Sequence, residues 1–163
     1  MPFPLLVRRA RARGIRLALL TAALLASTAC VDGETTPRPQ PTFTRVILRL
    51  MPNGGGAPQQ VEITRATNTA SGPLTIPTTG GTLTATYFNV DGTEDEVLER
   101  YQQEYETRIA ITNGPGAANF ARSSANSFSV TRSTTGQATA LVQLWDLGLK
   151  REVLGTTITL NVQ

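Results

Sequence analysis

Beyond residue 42 the apolar side chains of this chain fall on every second position, in runs too short for helices and closed by Gly, Pro and Asn clusters. Val46, Leu48 and Leu50 share one face of such a run, with Arg45 and Arg49 on the other. Leu83, Ala85 and Tyr87 repeat the pattern, as do Ala138, Ala140, Val142 and Leu144, and then Ile158, Leu160 and Val162. A period of two puts alternate side chains on one side of a strand, whereas a helix of the same sequence would scatter them around its circumference. Shorter alternations occur at Val61 and Ile63, at Leu74 and Ile76, from Tyr105 through Thr107 and Ile109 to Ile111, and at Phe120, Phe128 and Val130 around the polar turn "RSSANS". The segments "MPNGGGAPQ", "TTGG", Asp91-Gly92 and "TNGPGAAN" supply the breaks. About seven to nine short strands joined this way describe an all-β sandwich. Its expected core draws on Leu48, Leu83, Ile109, Val130, Val142, Leu144 and Leu160.

One stretch breaks the period. Val97, Leu98, Tyr101 and Tyr105 recur at helical spacing among acidic residues, which predicts a short helix near 94–104 laid over the sheet.

The N-terminal region is of another kind. Arg8, Arg9, Arg11, Arg13 and Arg16 precede an uncharged apolar run from Leu17 to Ala29, the layout of a secretory signal. A membrane-spanning helix needs roughly 20 apolar residues, and Asp32 and Glu34 cut this run short. The chain's only cysteine, Cys30, stands where the run stops. Ser27, Thr28 and Ala29 before it resemble the lipobox of bacterial lipoproteins, although that motif prefers leucine where Ser27 stands and here Leu25 lies two places earlier. The resemblance implies that Cys30 is lipidated and begins the mature protein. An ordinary leader peptidase, accepting Ser27 and Ala29 as its small residues, would instead release a soluble protein. The sequence thus divides into a signal over 1–29, the lipidated Cys30 with a Pro/Thr-rich tether over 30–42, and a β-sandwich domain over 43–163. Asp32 resembles the inner-membrane retention signal of some bacteria.

Charge follows the same division. The whole chain is net +3, but five of its 15 basic residues lie before Cys30, and all 12 acidic residues lie after it. The domain is therefore slightly acidic, and nucleic acid is not an expected partner.

"GGTLTATYFNVDGT" (Gly80 to Thr93) and "FSVTRSTTGQATALVQL" (Phe128 to Leu144) resemble the bacterial immunoglobulin-like (group 2-like) domain, over about residues 73–162. The acidic stretch from Glu94 to Glu106 has no counterpart in that pattern, and the family usually occurs as tandem repeats. What the resemblance implies is a sandwich at the cell envelope with a role in adhesion or assembly and without catalytic residues.

The chain has no histidine, which excludes Ser/His/Asp and Cys/His nucleophilic sites. Its only lysine, Lys150, lies in "DLGLKRE" without the spacing of a Ser/Lys dyad, and no phosphate-binding glycine loop is present. Asp91, Glu94, Asp95 and Glu96, with Glu99 nearby, are the candidate ligands for a hard cation. An EF-hand alignment on Gly92 fails because Tyr87 and Leu98 take ligand positions, so a solvated acidic face is the expectation, with no metal or other cofactor. Trp145, Tyr101 and Tyr105 are the candidate ligand-binding aromatics. Leu144 and Trp145 are adjacent on a strand and should point to opposite faces, leaving Trp145 either beneath the 94–106 segment against Tyr101 or Tyr105, or on a contact surface. Arg45, Arg49 and Arg65 suggest a basic stripe on a solvated face. The expected function is a non-enzymatic, lipid-anchored envelope protein, held to a membrane at Cys30 and presenting its sandwich to another envelope protein or a glycan. A carbohydrate- or peptide-binding module using the surface aromatics is the alternative, and an enzyme using the acidic cluster the third.

Overall fold

In the computed structural model residues 39–163 are described, Pro115 excepted. The expected signal, Cys30 and the expected tether as far as Arg38 lie outside the described residues. The alternating runs become strands β1 (Arg45–Pro52), β2 (Gln59–Thr64), β3 (Thr69–Ala70), β4 (Leu74–Ile76) and β5 (Gly81–Phe88). After helix α1 (Glu96–Arg100) come β6 (Tyr105–Asn113), β7 (Ala118–Arg122), β8 (Ser127–Arg132), β9 (Gly136–Asp146) and β10 (Arg151–Val162). No helix among the described residues is long and apolar enough to cross a membrane.

The strands form a six-stranded sheet, ordered β3-β2-β1-β5-β8-β7, and a four-stranded one, ordered β4-β10-β9-β6. Every pairing is antiparallel except that of β4 with β10. From β5 onward, successive strands distribute as β5-β8-β7 on one sheet and β6-β9-β10 on the other. This is the arrangement of strands B-E-D and C-F-G in an immunoglobulin-like sandwich. The helix sits in the connection between the strands equivalent to B and C.

Burial follows the alternation. In β9, Ala138, Ala140, Val142 and Leu144 are buried while Thr139, Leu141, Gln143 and Trp145 are half-buried on the far face. Leu48, Leu83, Val130, Val142, Leu144 and Leu160 are at most 1% exposed and meet in one core with Phe43, Ile63 and Ile158. Burying a side chain of this size stabilises by roughly 1.5–3 kcal/mol, so the core needs no disulfide.

Four expectations are corrected. Ile109 is only half-buried: β6 is the outer strand of its sheet, paired on one side, and burial along it fades from Tyr105 and Thr107 to Ile109 and Ile111. The helix covers five residues rather than 94–104, because the chain turns after Tyr101 and buries only Leu98 of its apolar stripe. The last strand begins at Arg151, well before the alternation of Ile158, Leu160 and Val162, since the β9–β10 hairpin continues pairing through an irregularity between Glu152 and Leu154. Finally, residues 39–42, read as tether, bond to the sandwich, with Pro41 buried. Strand β3, two residues long, carries no alternation from which to be read.

Gly80 immediately precedes β5 at φ +64°, and a Cβ there would sit 2.2 Å from the carbonyl oxygen of Val130 on the neighbouring strand. Gly55 has a similar φ of +76° with nothing within 4 Å. Both lose about 1–2 kcal/mol to backbone strain on mutation to alanine, and only Gly80 adds a clash between strands. Thermal unfolding of Gly80→Ala should therefore fall several degrees below that of Gly55→Ala; equal midpoints would contradict this packing.

Candidate functional site

Asp95 is 2% exposed, though it was read as a member of a solvated acidic face. Its placement follows from local chemistry, an aspartate immediately before an apolar helical stretch being a favoured N-cap. One carboxylate oxygen accepts the amide hydrogens of Val97 (3.0 Å) and Leu98 (3.2 Å), and the other accepts that of Thr42 (2.7 Å). The Asp95 amide in turn donates to the carbonyl of Tyr87 at the end of β5. One side chain thus fastens the helix to the segment by which the chain enters the domain.

Arg65 completes the fastening. It donates to the carbonyls of Pro41 (3.3 Å) and Phe43 (3.1 Å), and its guanidinium lies 4.3 Å from the centre of the Phe43 ring. Phe43 meets Tyr87 edge-on at 5.0 Å. The Tyr87 hydroxyl is 2.7 Å from Thr107, whose own hydroxyl donates to the side chain of Asn126 at 2.7 Å. With the Thr107 proton committed, Tyr87 is the donor of the first bond, and this buried polar chain joins β5 in one sheet to β6 in the other. Burial pushes the Tyr87 phenol far above its usual range, the Thr107 bond offsetting only part of that, so the ring stays neutral.

The other candidate acids do not converge. Asp91 is exposed and accepts the amide and hydroxyl of Thr93; that hydroxyl, foremost, holds its carboxyl below the usual carboxylate range. Glu96 pairs with Arg100 along the helix in an exposed contact. Glu94 lines a depression of about 100 Å³ together with Asp95, Leu98, Glu99 and Asn126. That is small beside the roughly 300–1,000 Å³ of a typical ligand pocket. Among the described residues no three acidic or thiol side chains are placed to hold a metal ion.

The candidate aromatics are also separated. Tyr105 is 2% exposed in the core, its hydroxyl donating to the Pro39 carbonyl, and Tyr101 is half-buried at the end of α1. Trp145 points to the outer face of the four-stranded sheet, opposite Leu144 as strand geometry requires. The group over its ring there is an arginine, not Tyr101 or Tyr105. The Arg108 guanidinium lies 4.6 Å from the Trp145 ring centre. Arg108 also pairs with Glu106, and Glu106 pairs with Arg122 of β7, so one carboxylate links the edges of the two sheets. Across Trp145, Gln143 donates to Glu152, whose carboxylate lies over Gly155 where any Cβ would collide with it.

These contacts make a braced polar face with an aromatic centre. Alternation along β9 directs Trp145 outward, but Arg108 and Glu106 were not singled out, because their meeting depends on the register that sets Glu106 against Trp145 and Arg108 against Gln143. Arg45 and Arg65, expected in a basic stripe, are engaged with Glu62 and the entry carbonyls respectively. No protein-family model, no curated protein and no solved structure matches the chain.

Two outcomes follow from the geometry. Asp95→Ala removes the cap, at a cost of about 1–2 kcal/mol, and should deprotect the Thr42 amide to hydrogen exchange; unchanged protection there would contradict the fastening. For Glu106, burial raises the carboxyl pKa, but the bonds and charges of Arg108 and Arg122 outweigh it and the net shift is downward. Its contribution is thus present above the unfolded value of about 4.3 and is lost as pH falls through the lower folded value. Glu106→Gln should destabilise by about 1 kcal/mol or less at neutral pH, and the gap from the parent should close below about pH 4. A gap that widens on acidification would contradict the pairing.

Proposed function

We propose that this chain is a non-enzymatic, lipid-anchored protein of the bacterial cell envelope, which holds an immunoglobulin-like sandwich on the extracytoplasmic side of a membrane and presents it to another envelope protein. Cys30 carries the lipid in this reading, and the face centred on Trp145 meets the partner. The observation that supports it most is the fastening of residues 39–44. A chain tethered by its N-terminus transmits the tether's direction to the domain only if its entry segment is fixed, and here Asp95, Arg65 and Tyr105 fix it. The Trp145 face supports the protein partner: tryptophan and arginine are the residues most enriched in interface hot spots, and the pairing of Arg108 and Arg122 through Glu106 orders this face before any contact.

The carbohydrate-module reading has less support, since Tyr105 is inside the core and Arg108 lies over a face of the Trp145 ring. An enzyme built on the acidic cluster has less support too, since both oxygens of Asp95, the buried acid of that cluster, hold backbone amides.

Cys30→Ala should abolish incorporation of radiolabelled palmitate and shift the protein out of the membrane fraction, while Trp145→Ala should keep the labelling and lose cross-linking to the partner. Labelling that survives Cys30→Ala would overturn the anchor, and undiminished cross-linking of a folded Trp145→Ala variant would overturn the contact face.

A further inference from the structure

The described residues expose four large apolar side chains, Met51, Val90, Leu147 and Leu149. Three of them gather at the end of the sandwich where the chain enters. Val90 closely follows Phe88, whose carbonyl receives the Thr44 amide. Leu147 and Leu149 form the turn of the β9–β10 hairpin, and that hairpin is bonded to the entry segment at one point, Arg151 donating to the side chain of Gln40 at 2.8 Å, and to the residue before β6 at another, the Leu147 amide donating to the Glu104 carbonyl. Met51 lies six residues along β1 from Arg45, roughly 20 Å away at strand rise.

The hairpin turn holds its shape: the Asp146 carboxylate accepts the Leu149 amide at 2.9 Å, and Lys150 adopts a φ of +52°. Leu149 nonetheless remains 54% exposed and Leu147 37%. The chain's only lysine stands beside them, followed by Arg151. On the other side of the same end, Asp91, Glu94, Glu96 and Glu99 surround the Val90 turn and α1. An anionic surface approaching this end is attracted at the hairpin and repelled at the helix.

Chain length says which surface comes near. Residues 31–38 separate Cys30 from Pro39. Eight residues reach at most about 30 Å, whatever their conformation. A lipidated Cys30 would therefore hold Pro39, and the entry end with it, within about 30 Å of the bilayer.

We infer that the hairpin tip, Leu147, Leu149 and Lys150, rests on the anionic phospholipid surface to which Cys30 is attached. This rests on the lipid anchoring proposed above. Apolar side chains with adjacent cations are the pairing that binds at the headgroup boundary. Contact there stands the sandwich on its entry end.

The test uses the full-length lipidated protein in phosphatidylethanolamine–phosphatidylglycerol vesicles, with Trp145→Phe removing the only native tryptophan. A tryptophan is then placed at the tip (Leu149→Trp) or at the far end (Met51→Trp), brominated lipids serve as quenchers, and flotation is scored in parallel. Both variants should float, with the tip variant losing most of its emission and the far-end variant keeping its own. Adding Leu147→Asp and Lys150→Glu to the tip variant should restore emission without loss of flotation. Floating protein in which the two positions are quenched alike, or the tip is not quenched, overturns the contact while leaving the anchor standing. Protein that does not float overturns the anchor, and the contact with it.

Discussion

The carboxylate of Asp95 is the point on which the lower end of this sandwich depends. A charge 2% exposed is costly unless nearly every lone pair is met, and here backbone amides from two separate segments meet it. The same residue donates its amide to β5, so the helix, the entry segment and the six-stranded sheet share one anchor. Around it the cation–aromatic contact of Arg65 with Phe43, the edge contact of Phe43 with Tyr87 and the hydroxyl chain to Asn126 continue the connection into the second sheet. Removal of one member leaves a buried polar group without its partner, which is why such chains act as units.

Much of the fold was legible because its determinants are local. Alternation at Leu83, Ala85 and Tyr87 or at Val142 and Leu144 needs only a window of a few residues, and glycine, proline and asparagine mark the turns. The limits of Ile109 were not legible, since half-burial there reflects the lack of a second neighbour for β6, a property of sheet order. Residues 39–42 read as tether for a related reason. Their composition is that of a tether, and what holds them comes from 53 positions away at Asp95 and 66 at Tyr105. The outward direction of Trp145 could be derived from Leu144, whereas its partner Arg108 required the pairing register of two strands.

The acidic stretch illustrates how one composition divides into roles. Asp95 is structural, Asp91 closes a turn with Thr93, Glu96 lies along the helix surface, and Glu106 joins two arginines from different sheets. The carboxylates expected to form a solvated face, with a cation site as the alternative, are instead divided among a cap, a turn and ion pairs. In the reading proposed above, the exposed leucines of the β9–β10 hairpin turn toward lipid, and the paired groups around Trp145, two positions before Leu147, toward a protein partner.

Lipid attachment is the premise that joins them. Intact-mass and N-terminal analysis of the mature protein, purified from the membrane fraction, tests it most directly. Anchoring requires a chain that begins at Cys30 and carries the added mass of a diacylglyceryl thioether. A mature chain beginning elsewhere, or one beginning at Cys30 with a free thiol, would contradict it.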